Sequence, residues 1–350
     1  ASIKPEQVGE VSAGIVYKHG LKGNPGRQVQ LSVGIPDETP ALTVDQQCAS
    51  GMRAFEIAVQ QIQLGKAEIA VAVGMESMSN APHLLLNSRN GYRLGAETIE
   101  DALLYDGLID AFSGQHMGNT AETLAERYNI SRKEQNEYAA LSHKRESGKF
   151  ISEIVPVEIK TIKGINIVNE DECPKADATA EELLKLKPVF KKDGTVTAGN
   201  SSSLNDGAAA IVLMSSEKAK ELKIRPLAEV SSTASAGVDP LIMGIGPALA
   251  IPKALGFADL GLKDIDYFEI NEAFAAQLLA VNRELKIPLD KLNVNGSGIS
   301  IGHPVGCTGI RIIQALVSEM KRRDSKYGCA SLCAGGGPSM AVIIENIKKD

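Results

Sequence analysis

Three side chains at opposite ends of the chain have the chemistry for covalent catalysis: Cys48, His303 and Cys333. Cys48 lies in Asp45-Gln46-Gln47-Cys48-Ala49-Ser50-Gly51-Met52, at the start of a helical run and just after an extended stretch at 41–44. A helix N-terminus offers unpaired N–H groups and the positive end of a dipole, which favour thiolate over thiol. Cys48 is therefore a candidate nucleophile. His303 is held between Gly302 and Pro304 inside a glycine-rich stretch from Asn295 to Gly309, where it could act as a base on a thiol. Cys333 begins Cys333-Ala334-Gly335-Gly336-Gly337. A thiol there could exchange a proton while backbone N–H groups hold a developing oxyanion. Asn271, in Asn271-Glu272-Ala273-Phe274, could hold a water or an oxyanion through its amide. Taken singly, each cluster reads equally well as structure: an inert buried thiol, a tight turn, a helix cap. The glycine spacing matches neither a dinucleotide fingerprint nor a P-loop.

These residues need elements to carry them. Met52, Phe55, Val59 and Ile62 recur at helical spacing, and Gly65 stops the run. The apolar stretch 68–73 then predicts a buried strand. Near the C-terminus the same grammar returns. Ile310, Ile313, Leu316, Val317 and Met320 predict a helix, followed by strands at 328–333 and 340–344. Cys48-Ala-Ser-Gly51-Met-Arg53 echoes Gly306-Cys-Thr-Gly309-Ile-Arg311, which hints at two halves built alike. Further strands are expected at 208–214 and 267–270. Between the halves, residues from about 79 to 192 are more polar, with helical periodicity at 120–128 and 132–149. That stretch reads as an insertion into the first half of an α/β fold.

Composition excludes several classes. The chain has 350 residues, 43% hydrophobic and 23% charged, with a formal charge of −6. That is a globular balance with no electrostatic footprint for nucleic acid or an anionic membrane. An anionic ligand would need a local basic patch; Arg89 and Arg93 offer one, or else form a solvated loop. No apolar run is long enough to span a bilayer, and neither terminus carries a targeting signal. Five cysteines without a paired framework point to reduced thiols in a cytoplasmic compartment. There is no Cys-x-x-Cys and the histidines are scattered, so no metal site is expected.

Together the four clusters resemble the thiolase family, and the likeness runs over essentially the whole chain. The motifs are the segment from Asp45 to Ala54, Asn271-Glu272-Ala273-Phe274-Ala275, Gly302-His303-Pro304-Val305-Gly306 and Cys333-Ala334-Gly335-Gly336-Gly337. Gly74-Met75-Glu76-Ser77-Met78-Ser79 and Thr197-Ala198-Gly199-Asn200 extend the match. The resemblance implies two similar α/β halves in a five-layered αβαβα body with an inserted loop domain. The first half would comprise 1–79 plus 195–225, the loop domain 80–194 and the second half 226–350.

By that likeness Cys48 would carry the acyl group and His303 would take its proton. Cys333 would remove the α-proton of a second acetyl-CoA. Asn271, through a water, and His303 would form one oxyanion hole; the N–H groups of Cys48 and Gly335 would form the other. Leu108, His116, Met117, Phe190, Ala198, Ser202, Met243 and Phe274 match positions that line the CoA arm and acyl pocket. Gln115-His116-Met117-Gly118 is most similar to the short-chain type. The implied activity is that of an acetyl-CoA C-acetyltransferase, with a broader-chain 3-ketoacyl-CoA thiolase and a non-catalytic acyl-CoA binding protein as alternatives. A β-ketoacyl synthase, the nearest relative by chemistry, would not use Cys333. The family implies no metal or prosthetic group, CoA thioesters as substrates, and a homodimer or homotetramer.

Three departures accompany the likeness. The chain begins about forty residues into the family pattern, so the opening strand of the first half is expected to be absent, and that strand is expected to be central in its sheet. Ser297 replaces a common glycine, with an effect expected only on loop stiffness. Pro338-Ser339-Met340 replaces the usual sequence after the third glycine, with an expected shift of the oxyanion turn.

Overall fold

The computed structural model describes residues 2–146, 148, 150–162 and 164–347. Ala1 and residues 348–350, read above for targeting signals, lie outside that range.

The chain starts with β1 (Glu10–Gly14), α1 (Pro25–Ser32), β2 (Ala41–Val44), α2 (Ser50–Gln63) and β3 (Ile69–Ser77). A long excursion follows, with the small pair β4 (His83–Leu84) and β5 (Glu100–Asp101), then α3 (Met117–Arg127) and α4 (Arg132–Arg145). It continues through the hairpin β6 (Val157–Thr161) and β7 (Gly164–Val168) to α5 (Ala180–Leu184). The chain returns as β8 (Asp206–Met214) and α6 (Ser216–Glu221). The rest consists of β9 (Ala228–Gly237), α7 (Pro247–Phe257), β10 (Tyr267–Ile270), α8 (Ala275–Leu285), α9 (Gly298–Ile301), α10 (Val305–Arg323), β11 (Tyr327–Cys333) and β12 (Pro338–Asn346).

Two four-stranded sheets result, ordered β2-β1-β3-β8 and β10-β11-β12-β9. In the first, β1 runs parallel to both neighbours and β8 pairs antiparallel with β3. In the second, β10 and β11 are parallel, and β12 is antiparallel to β11 and to β9. So β1, β3 and β8 correspond to β10, β11 and β12. The strand that opens the second half, β9, is an edge strand. That goes against the expectation of a central opening strand: the central strands are β1 and β3, parallel, in the first sheet and β11 and β12, antiparallel, in the second, and the helices leading into β3 and β11, α2 and α10, lie between the sheets.

Those two helices form the middle layer. Met52, Phe55 and Val59 of α2 pack with Ile310, Ile313, Leu316 and Met320 of α10, between Ala70 and Ala72 of β3 and Ala330 and Leu332 of β11. Each large side chain so buried contributes roughly 1.5–3 kcal/mol. The helices touch backbone to backbone. A Cβ on Gly51 would fall 2.7 Å from the Gly306 carbonyl, and one on Gly309 would overlap Met52. The outer layers are α1 beside β1 and β2, and α7 with α8 over the second sheet. The layering is thus αβαβα.

The helix expected at 132–149 starts at Arg132 and ends at Arg145; its N-cap is Ser131, whose hydroxyl accepts from Glu134 N–H in a capping box. Positions 147 and 149 lie outside the described residues. The Arg89–Arg93 stretch is exposed, with Arg89 in the 3-10 turn Ser88–Asn90 and Arg93 in the loop after it. Among the described residues, no helix is long and apolar enough to cross a membrane.

Candidate active site

Cys48 sits in the sharp turn between β2 and α2. Gln47 adopts a left-handed backbone (φ 51°), a cost of about 1–2 kcal/mol for a residue with a side chain. Short bonds hold the turn: Gln47 N–H donates to Asp45 Oδ1 (2.9 Å), Gln46 N–H donates to Ser50 Oγ (2.8 Å), and that hydroxyl donates to Gln47 O (2.6 Å). Cys333 ends β11 opposite Ser339. Beyond it, Ala334 N–H donates to Pro338 O (2.9 Å) and Gly337 N–H to Ala334 O (3.1 Å). That closed turn leaves the Gly335 N–H free to point at the Cys48 sulfur. Pro338 of the Pro338-Ser339 departure contributes its carbonyl to this turn. Cys48 and Cys333 are close enough for charge on one to disfavour charge on the other.

His303 follows Gly302, whose φ of 98° suits glycine alone. Its ring Nδ1 lies 2.7 Å from Thr308 Oγ1, and that hydroxyl spends its proton on Pro304 O (3.0 Å). Thr308 must then accept, which puts the imidazole proton on Nδ1 and leaves Nε2 with its lone pair. Asn271 Nδ2 is 3.3 Å from Nε2 and can donate to it. Asn271 starts no helix, since α8 begins at Ala275, so the cap reading fails for it. Its Oδ1 is buried with no partner among the described residues. The His303 loop reaches Cys48 through Val305, which packs with Val16, Tyr17, Met78 and Cys48. Ser297 is fully buried, and its hydroxyl has no partner among the described residues.

Burial overrides the helix N-terminus at Cys48. The residue keeps some exposure, yet desolvation pushes the thiol up to about 11, against the pull of the Gly335 N–H and its own N–H, with the charges of Glu76 and Asp45 adding to the rise. The expectation of a thiolate favoured by the helix is thus corrected for the resting site. Burial, helped by the Arg311 charge, holds His303 down at about 3, so it is a neutral imidazole. Burial also pushes the Cys333 thiol far up. The resting site is an array of neutral groups.

Around this array, Met117, Met243, Phe274 and Cys333 share one buried cluster, with Phe190 against it. His116 stacks on Phe190 (centroids 4.6 Å, 19°), and Phe190 meets Phe274 edge-on at 6.1 Å. The His116 side chain also caps α3 by accepting from Gly118 N–H (3.0 Å). Ser202 N–H donates to Ala273 O (3.0 Å), which brings it beside Phe274. Leu108 and Ala198 stand outside that cluster: Leu108 is half-buried at the end of the π-helical turn Leu104–Leu108, and Ala198 is exposed. Thr308, Asn205 and Glu272 were missed from sequence. For Thr308 the signal was there: a hydroxyl five residues after a rigidly held histidine.

The thiolase N-terminal domain matches residues 1–217, and the thiolase C-terminal domain matches 224–346. The acetyl-CoA acetyltransferase of Cupriavidus necator is 48% identical, over 99% of this chain and 89% of its own length. The solved Bacillus anthracis acetyl-CoA acetyltransferase is 48% identical, with a TM-score of 0.96 over 99% of this chain and 89% of that one. Human mitochondrial 3-ketoacyl-CoA thiolase is 44% identical, with a TM-score of 0.95 over the same shares. With motifs, fold and both domains in agreement, the chain belongs to the thiolase family.

Proposed function

We propose that the chain is an acetyl-CoA C-acetyltransferase, joining two acetyl-CoA into acetoacetyl-CoA and CoA, reversibly, through an acyl-Cys48 intermediate. The observation that carries this reading is the meeting of two thiols from the two halves, Cys48 and Cys333, with the Gly335 N–H aimed at the first. The proton inventory orders the steps. His303, with its lone pair on Nε2, takes the Cys48 proton as sulfur attacks the thioester carbonyl. Cys333 rests protonated, so it gives its proton to the departing CoA thiolate. The Cys333 thiolate then takes the α-proton of the second acetyl-CoA. The resulting enolate attacks acetyl-Cys48, whose sulfur leaves and recovers its proton from His303. Negative charge develops on oxygen in both halves of the reaction. Asn271 with His303, and the N–H groups of Cys48 and Gly335, are the two donor sets that meet it; losing one such donor typically costs about 3–4 kcal/mol.

His116, Met117, Phe190, Met243, Phe274, Ser202, Leu108 and Ala198 are assigned to the CoA arm and acyl pocket, with no metal or prosthetic group required. The division into a first half, a loop domain and a second half belongs to the same reading. So does a cytoplasmic location, which the five free thiols support. Assembly as a homodimer or homotetramer is supported by the β6–β7 hairpin, where Val157, Ile159, Ile165 and Ile167 are exposed. A second reading, thiolysis of longer 3-ketoacyl-CoA, is favoured by the comparable likeness to the human thiolase. The test has two parts. Incubation with acetyl-CoA should acetylate Cys48, read by peptide mass spectrometry; CoA binding without that adduct would mean a binding protein instead. A thiolysis series over chain length should peak at acetoacetyl-CoA. A maximum at longer chains would select the second reading.

A further inference from the structure

The segment from α9 to the start of α10 carries His303 through an irregular bend, and side chains from elsewhere grip its backbone. Glu272 accepts from Ile299 N–H (3.2 Å), Asn205 from His303 N–H (3.2 Å) and Glu76 from Gly306 N–H (2.9 Å). Glu272 belongs to the second half, and its shell is completed by Asn293 (2.9 Å) and, from α4, by Tyr138 and Ser142 (2.6 Å each). Glu76 is different. It stands near the end of β3, and its other bonds come from the stretch after β1: Val16 N–H (3.0 Å) and Tyr17 N–H (3.0 Å). One carboxylate thus ties the first turn of α10 to the residues that, with Val305, pack against Cys48. It is 4% exposed and has no salt-bridge partner among the described residues. Burial raises the Glu76 carboxyl above its ordinary value, and the N–H bonds pull the other way: these three partners can only donate, so they fit the ionised form, and a protonated one would lose a bond. A carboxylate is also favoured at a helix N-terminus. A Cβ on Gly306 would fall 2.7 Å from Glu76 Oε2, so glycine is what lets the carboxylate in.

We propose that Glu76 is a positioning residue of the acyl-transfer site: by clasping backbone N–H groups from both halves, it sets His303 in register with Cys48. The idea rests on the acyl-transfer reading above. Its charge provides a second effect. The titratable groups bearing on the Cys48 thiol are Glu76 and Asp45, which raise it, and Tyr17, Cys333 and His303, which are neutral in the resting site. Asp45 is exposed and pairs with Lys18 (3.2 Å), whereas Glu76 is enclosed. Glu76 therefore adds to the rise of the Cys48 thiol that burial dominates.

The test compares Glu76→Gln and Glu76→Asp with the wild-type protein, whose own acetylation at Cys48 checks the underlying reading independently. Two quantities are measured: kcat and KM for acetoacetyl-CoA thiolysis, and the pH profile of Cys48 alkylation by iodoacetamide. Wild-type alkylation should rise about tenfold per pH unit through the neutral range, since the thiol titrates far above it. Glu76→Gln should lower kcat about tenfold or more, with KM for CoA nearly unchanged, because misplacement by an ångström is that costly. It should also move the alkylation midpoint down by about half a unit or more. Glu76→Asp keeps the charge but shortens the reach, so it should lose kcat while leaving the midpoint in place. An unchanged kcat in either variant would overturn the proposal. So would a Glu76→Gln whose only defect is a lower Tm with an unmoved alkylation midpoint. If Glu76→Gln does not fold, the Glu76→Asp kcat decides alone.

Discussion

The two halves share a plan and differ in finish. In the second sheet, β12 is paired on both sides, by β11 and β9, and its residues from Ser339 to Ile344 are buried. α7 closes the outer face, with Ala250, Ile251 and Ala254 packed near Ala341 and Ile343. In the first sheet the equivalent strand, β8, is paired only with β3 among the described residues. Exposed and half-exposed residues alternate from Asp206 to Ile211, and Val212 and Met214 are only partly covered. The difference lies in one strand: β9 covers the second edge of β12, and no strand among the described residues stands in that place beside β8. The half that carries His303, Cys333, Gly335 and Asn271 is closed on both faces. The half that carries the nucleophile holds it by the tight turn at Gln47 and by contacts to its partner.

The comparison can be broken first at the chemistry. Cys48→Ser should lower thiolysis by about 10³-fold or more and abolish the acetyl adduct, whereas Cys333→Ser should stop turnover yet still be acetylated. Equal acetylation of both variants would erase the distinction between the thiols. Next comes the imidazole. Thr308→Val removes the acceptor that keeps the proton on Nδ1 and should cut kcat by about 10–100-fold, within the range of general-base catalysis, with little change in KM; an unaltered kcat would mean that the tautomer is set elsewhere. The smallest contrast concerns the sheets. Val342→Lys, in the doubly paired strand, should cost several kcal/mol by burying a charge, while Ala210→Lys on β8 should stay within about 0.5 kcal/mol. Urea denaturation midpoints of the two variants would read this directly, and equal losses would show that β8 is as enclosed as β12.

Much of this architecture was legible from pattern. β2 and β10 span the expected residues, β8, β11 and β12 contain the expected stretches, and β3 takes up the one at 68–73 from Ile69 on. The strands that escaped notice lack a readable period. β1 is Glu-Val-Ser-Ala-Gly, wholly buried because its neighbours cover both faces, so its charged and small residues gave no alternation. The β6–β7 hairpin is almost wholly exposed, with no buried stripe to announce it. At the site, motif residues that react were readable by type. The residues that hold them were not, because Thr308, Asn205 and Glu272 acquire their role only when distant backbone comes within hydrogen-bond reach. Thiolate activation at Cys48 was misjudged for the same reason: a helix start is visible in a sequence, but the desolvation around it is not.

One feature of the middle layer limits how the molecule can move. Where Gly51, Gly306 and Gly309 meet, no side chain lies between α2 and α10 to slide or rotate, so the two sheets are coupled as a single rigid block. Hinge opening between them would first have to pull main chain off main chain.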